Sequence, residues 1–230
     1  MSFITMSQAQ GSIHLGPSLR NRIPILLALK RQLDPQNTGQ GLAGYAVDLS
    51  GGTGAHLEVM APGFPTLEWR ATEYIAADRD TTQPSPLAII DSFSVDIHKN
   101  VHPSVPLDLS TAFETWHETL QELENKVQLA LCCNVIHITP WAVAEGLFRG
   151  VSRLLQPNGT FALYGPFIED GQYSSDGNRS FDAMLQLRNP DWGLRERNRV
   201  EELAASVGLK LRENISMPAN NKLLLFVRTE

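Results

Sequence analysis

Apolar positions recur along this chain in two alternating rhythms, and its elements follow from that alternation. From Pro17 to Leu33, the residues Ile23, Leu26, Leu27, Leu29 and Leu33 return at roughly helical spacing among Arg20, Arg22, Lys30 and Arg31, so a helix is expected there. Pro35, Gly39, Gly41 and Gly44 mark a loop. Tyr45 to Leu49 is a short apolar run that stops at Ser50-Gly-Gly-Thr-Gly54, and Ala55 to Met60 supplies the opening of a helix. Strand, glycine turn and helix succeed one another.

The same order repeats downstream. Leu67 to Ala71 predicts a second strand, Leu87 to Ile97 a helix and Pro106 to Leu109 a short third strand. Ala112 to Lys126 places Phe113, Trp116, Leu120 and Leu123 on one helical face. Val127 to Cys133 is almost continuously apolar, as a strand covered on both faces of a parallel sheet must be. Trp141 to Leu155 predicts the next helix, ended by Pro157-Asn-Gly159, and Thr160 to Tyr164 the next strand. The repeated alternation predicts an α/β fold with a doubly wound, Rossmann-like, mostly parallel seven-stranded sheet. One domain over 1–230 is expected, with residues 1–16 flexible.

The last third changes character. Gly165 to Ser180 is polar and contains glycines, which predicts a long loop, and 165–195 as a whole is expected to cover a substrate. Helices are expected near Phe181 to Leu187 and Glu196 to Val207. Lys210 to Met217 and Lys222 to Arg228 flank Pro218-Ala-Asn-Asn221 and predict a closing antiparallel hairpin.

Composition narrows the function. With 42% apolar and 19% charged residues the chain is an ordinary globular protein, and its net charge of −6 is spread out rather than blocked. Nucleic acid is therefore not the expected partner, because phosphate neutralisation needs clustered Lys and Arg. Met1 to Gly16 holds no Lys or Arg and no apolar run long enough for a signal peptide or membrane span, so no membrane partner and a cytoplasmic location are expected. Cys132 and Cys133, the only cysteines, point apart if they lie on a strand, which rules out a disulfide framework. Oligomeric state leaves no mark in the sequence.

Asp48-Leu-Ser-Gly-Gly-Thr-Gly54 carries the most chemical information. An acidic residue near the end of a strand precedes Ser50, Gly51, Gly52, Thr53 and Gly54, small residues that let backbone approach a ligand where larger side chains would clash. The Lys-Ser or Lys-Thr of a phosphate-binding loop is missing, and Leu57 stands where a dinucleotide fingerprint needs its third glycine. Glu73 lies nineteen residues after Gly54, at the end of the second strand, where a carboxylate can accept both ribose hydroxyls. S-adenosyl-L-methionine fits these residues better than a dinucleotide does.

A family resemblance rests on longer motifs. Gly52-Thr-Gly-Ala-His56, Asn134-Val-Ile-His-Ile-Thr-Pro-Trp141, Glu145-Gly-Leu-Phe148, Leu163-Tyr-Gly-Pro-Phe167, Asn189-Pro-Asp-Trp-Gly193 and Met217-Pro-Ala-Asn-Asn221 resemble the methyltransferase-like 26 family, from about Arg20 to the C-terminus. The family has a class I methyltransferase fold, and its substrate is not established. The resemblance implies the methionine part of the cofactor near Gly52, Thr53, Gly54 and His56, with the ribose near Glu73. It also implies Asp108 and Leu109 beside the adenine, Asn134 beside the methyl group, and Arg20 and Asn21 at the methionine carboxylate. Glu73 stands where similar proteins tend to have Asp, and Asp78 to Pro86 reads as an added loop.

Methyl transfer from a sulfonium needs no metal, and holding acceptor and methyl in line supplies much of the catalysis. His137, three residues after Asn134, is the candidate base, because imidazole titrates near neutrality; Tyr164 and Asn134 complete the catalytic candidates. Trp141, Tyr164, Phe167 and Trp192 are candidates for an aromatic acceptor wall, and Asp170 and Asp182 for orienting a cationic amine. Asn178, Asn220 and Asn221 are candidates for the mouth. His98 and His102, four apart, lack the following Glu of a zinc helix, so no metal is expected. The leading expectation is methyl transfer to an oxygen or nitrogen of a small molecule, releasing S-adenosyl-L-homocysteine. The alternatives are a cofactor-binding protein that does not methylate, and a methyltransferase acting on protein or nucleic acid.

Overall fold

A computed structural model describes residues 16–35 and 42–229. The first fifteen residues, expected to be flexible, lie outside it.

Helix α1 (Pro17–Leu33) begins with a proline, whose missing N–H costs nothing at that position, and buries Asn21, Ile25 and Leu29 four apart. Strand β1 (Gly44–Leu49) leads through the glycine turn into α2 (Leu57–Gly63), then β2 (Leu67–Glu73), α3 (Pro86–Ser94) and β3 (Val101–Pro106). A one-turn helix α4 (Glu118–Gln121) precedes β4 (Val127–Cys133), α5 (Trp141–Leu154) and β5 (Leu155–Gly165). An insert of β6 (Phe167–Glu169), β7 (Gln172–Tyr173), α6 (Asp176–Arg188) and β8 (Arg195–Glu196) follows. Helix α7 (Arg197–Ser206), β9 (Leu209–Met217) and β10 (Asn221–Arg228) complete the chain.

The main sheet has seven strands in the order β3-β2-β1-β4-β5-β10-β9. Its first five run parallel, whereas β10 pairs antiparallel with both β5 and β9. This is the expected fold class. One face packs α1, α2 and α3 through Ile25, Met60 and Ile90, and the other packs α5 and α7 through Phe148, Val151 and Val200. Cys132 and Cys133 fall on opposite faces, both buried and free, as adjacent residues on a strand must. Phe148 meets Phe161 and Phe226 edge-on at 5.3 and 5.4 Å, contacts that contribute about 0.5–1.5 kcal/mol each beyond their buried area.

Four expectations need correction. The third strand is Val101–Pro106, not Pro106 to Leu109; as the sheet edge it tolerates Pro103 and Pro106, and His98 and His102 share no helix. The face of Phe113, Trp116, Leu120 and Leu123 is buried as expected, but no continuous helix carries it. Trp116 takes extended backbone so that its ring lies against Gly150, and the His117 side chain caps α4. Pro157 to Gly159 does not precede β5 but interrupts its register within the strand. Gly165 to Ser180, expected as a loop, forms β6, β7 and the start of α6, with β8 pairing parallel to β6.

Candidate functional site

The strand order reverses between β1 and β4, and ligands of open α/β sheets bind beyond the carboxyl ends of the strands at that point. Both chain segments there are strained. Ser50 and Asn134, the residues immediately after β1 and β4, have φ of 61° and 60°, a left-handed conformation that costs a non-glycine residue about 1–2 kcal/mol. Each is clamped: Ser50 N donates to Thr72 Oγ1 at 3.2 Å, and Asn134 N to the Tyr164 carbonyl at 2.8 Å.

Asp48 is fully buried below this turn, its Oδ2 only 3.2 Å from where a Cβ on Gly51 would stand, and neither carboxylate oxygen has a hydrogen-bond partner. Burial, then the charge of Glu73, raises its pKa to about 7. Glu73 closes over the turn, with Gly52 N donating to Oε2 at 2.7 Å and Tyr74 N to Oε1 at 2.8 Å. Burial raises its pKa, and these two donors pull it back. Each Glu73 oxygen keeps a second lone pair for a ligand.

Two cavities open here. The first, about 580 Å³, is lined by Ser50, Glu73, Asp108, Leu109 and Trp192 of the predicted set. The second, about 520 Å³, is lined by Arg20, Asn21, Asn134, His137, Tyr164 and Asn178. Ile138 lines both, so they meet across one side chain. A third, of about 470 Å³, shares Tyr74, Leu107 and Asp108 with the first.

Second contacts hold these residues in place. His56 does not line either cavity; its Nε2 lies 2.9 Å from Asn21 Oδ1, and burial, then Arg22, lowers its pKa to about 4, so a neutral ring positions Asn21. Asp108 Oδ1 accepts from Ser110 N and Oγ at 2.8 and 2.6 Å, which shapes the wall of the first cavity. The loop after β4 is gripped by the insert: Gly193 N donates to the His137 carbonyl at 3.0 Å, while Arg195 donates to the carbonyls of Ile136 and Thr139 at 2.9 and 2.7 Å.

Several candidates sit elsewhere than expected. His137 is 5% exposed, and burial, then Arg195, lowers its pKa to about 4, so it is no base tuned to neutrality. Tyr164 moves the other way, to about 12, through burial, then Cys133. Trp141 lies outside the two cavities, under the guanidinium of Arg199 at 3.9 Å. Phe167 is buried in the core. Asp182, 3% exposed, accepts from Tyr173 Oη at 2.7 Å, Gln186 Nε2 at 3.0 Å and Leu194 N at 2.7 Å, and lines neither of the two cavities. The Asn220 carbonyl accepts from Asn178 Nδ2 at 3.0 Å and Ser174 Oγ at 3.3 Å, and Asn221 rather than Asn220 lines the second cavity. The motif reading missed Val135, Ile138, Thr139 and Val143, although their place just beyond β4 is the signal that finds them.

A family model described as Protein of unknown function (DUF938) matches residues 15–228. The chain belongs to that family. The DUF938 chain is similar in structure to mitomycin 7-O-methyltransferase, with a TM-score of 0.64 and 17% identity over 81% of this chain and 49% of that one. An O-methyltransferase family protein from Burkholderia thailandensis gives 0.64 and 17% over 92% and 60%. Human N-acetylserotonin methyltransferase, solved with S-adenosylmethionine, gives 0.62 and 13% over 93% and 56%. The DUF938 chain thus spans only about half to three fifths of the length of these proteins. At such identities the likeness establishes the fold, which is that of class I methyltransferases. Among the described residues no helix is long and apolar enough to cross a membrane.

Proposed function

We propose that this chain binds S-adenosyl-L-methionine and transfers its methyl group to an oxygen or nitrogen of a small molecule, leaving S-adenosyl-L-homocysteine. The observation that carries the reading is the meeting of two cavities at Ile138, beyond the strand ends where the sheet order reverses. One presents the carboxylates of Glu73 and Asp108 to a nucleoside, and the other holds Asn134, His137 and Tyr164 for the acceptor side.

Under this reading the free lone pairs of Glu73 hold the ribose hydroxyls, and Asp108 and Leu109 flank the adenine. The unpartnered oxygens of Asp48, under the turn, supply the counter-charge for the amino group of the methionine part, and the exposed Gly52, where a Cβ would meet open space, lets that part lie close. Arg20 and Asn21 stand near its other end, beside Asn134 and Tyr164. When bound, the cofactor supplies an electrophilic methyl. The chain positions the acceptor and excludes water, with Asn178 and Phe181 from the insert closing one cavity and Asn189 and Trp192 the other. Residues 1–230 act as one domain, with 165–195 as its substrate lid. The buried free cysteines suit a reducing compartment, in keeping with a cytoplasmic protein. The motif resemblance to the methyltransferase-like 26 family supports the same assignment.

A second reading, a cofactor-binding protein without methyl turnover, is favoured by one observation: His137 at about 4 and Tyr164 at about 12 both lie far from neutrality. Titration calorimetry with S-adenosylmethionine and S-adenosylhomocysteine tests the common ground, and lack of micromolar binding to either sinks both readings. Incubation with labelled methyl donor and metabolite fractions then separates them, since only an enzyme transfers label.

A further inference from the structure

We infer that His56 is a positioning residue: by fixing which end of the Asn21 amide faces it, the ring makes Asn21 and Tyr164 hydrogen-bond donors towards the second cavity. His56 Nε2 lies 2.9 Å from Asn21 Oδ1, and both side chains are buried. An amide oxygen only accepts, so the proton of that bond sits on Nε2. The contact therefore selects the Nε2–H tautomer of the neutral ring and leaves Nδ1 bare. Arg22, paired with Glu58, brings a positive charge close to the ring and opposes a second proton there.

The polarity passes from one side chain to the next. With Oδ1 turned to His56, Asn21 turns its two Nδ2–H groups the other way, towards the cavity it lines. The Asn21 side chain hydrogen-bonds the Tyr164 hydroxyl. A phenol oxygen that accepts on that side keeps its own O–H free, and Tyr164 lines the same cavity. The Tyr164 carbonyl in turn accepts from Asn134 N at 2.8 Å, so hydrogen bonds join His56, α1, β5 and the residue after β4. The reverse amide orientation would make Nδ2 the donor to a bare Nε2 and Oδ1 the acceptor of the Tyr164 proton. The cavity would then meet lone pairs in place of donors.

Donors are what the carboxylate end of the cofactor requires, and Arg20 lines the cavity beside Asn21 and Tyr164. This consequence for affinity rests on the methyltransferase reading, whereas the tautomer does not. His56 itself lines neither cavity, so it acts on a ligand only through Asn21. Its place in the Gly52-Thr-Gly-Ala-His56 motif is thereby explained without contact to the cofactor.

Nitrogen-15 NMR of the imidazole rings in the full, ligand-free chain at pH 7 reads the tautomer, with His56→Gln identifying the signal. The Nε2–H form is expected, with nuclear Overhauser contacts from the Asn21 Nδ2 protons to the Tyr164 ring. An Nδ1–H form, or Asn21 Nδ2 protons directed at His56, overturns the inference. Calorimetry with S-adenosylhomocysteine then reads the consequence. His56→Leu and Asn21→Leu are each expected to weaken binding at least tenfold, and the double variant no more than the worse single one, because both act through one amide. His56→Gln, whose amide can donate from the same place, is expected to stay within threefold of the unaltered chain. Additive losses, or no rescue by His56→Gln, would mean that His56 acts through packing alone and overturn the inference. If S-adenosylhomocysteine fails to bind the unaltered chain while the Nε2–H form and its contacts are found, the methyltransferase reading falls and the donor polarity stands.

Discussion

Asp48 and Glu73 carry the clearest consequences of single side chains. Asp48 sits in the interior without a partner, so a positively charged donor that reaches it stabilises its ionised form. Cofactor affinity is therefore expected to rise with pH through about 7, and Asp48→Asn to lower it at least tenfold and remove that pH dependence, as read by calorimetry between pH 5.5 and 8.5. Glu73 already holds two backbone donors, and its remaining lone pairs face the first cavity. Glu73→Gln exchanges a charged acceptor for a neutral one, which is expected to weaken S-adenosylhomocysteine by about 1.5–3 kcal/mol, ten- to a hundredfold in Kd. Wild-type affinity in that variant would remove Glu73 from the ribose.

Elements place these residues through close approaches that only small or unusual residues permit. A Cβ on Gly146 of α5 would collide with the backbone carbonyl of Leu109, so α5 presses directly on the wall of the first cavity. Gly146→Ala is expected to displace residues 107–111, costing about 1–3 kcal/mol in urea unfolding and weakening S-adenosylhomocysteine, because backbone cannot rotate away as a side chain can. The insert depends on Asp182, which ties β7, α6 and the strand into β8 together. Asp182→Ala leaves those donors unsatisfied, and proteolytic cleavage within 167–196 is expected to accelerate at least tenfold, with the rest of the chain still resistant. Sites of cleavage read by mass spectrometry check this; an unchanged pattern would mean the insert is held by packing alone.

For the whole molecule, three buried groups set opposing pH trends in the ligand-free chain. Asp48 has its folded pKa raised from 3.8 to about 7, so the folded state binds the extra proton between those values, and its contribution to stability is lost as pH rises through about 7. His56 and His137 have theirs lowered from 6.5 to about 4, so their contribution is present above 6.5 and lost as pH falls towards 4. Two histidines outweigh one carboxyl between pH 4 and 6.5, where these groups make stability rise with pH, and Asp48 alone leaves a shallow fall up to about 7. Urea midpoints across pH 4–8 are expected to trace that asymmetry, and Asp48→Asn to remove the fall. Much of the architecture was legible beforehand, because the apolar period of β1, β4, α1 and α5 is a local property, and so was the Asp48 to Gly54 turn with Glu73. The short β3, the broken helix around Trp116 and the strands of the insert were not, since Pro103 is tolerable only on an edge, and Trp116 adopts its backbone only because Gly150 leaves room for the ring. Residue order alone thus determined the sheet class and the side chains near the turn. Tertiary structure alone decided which of them face a cavity, that Asp182 and Phe167 do not, and that burial makes His137 a weak base, because burial and charge depend on neighbours distant along the chain.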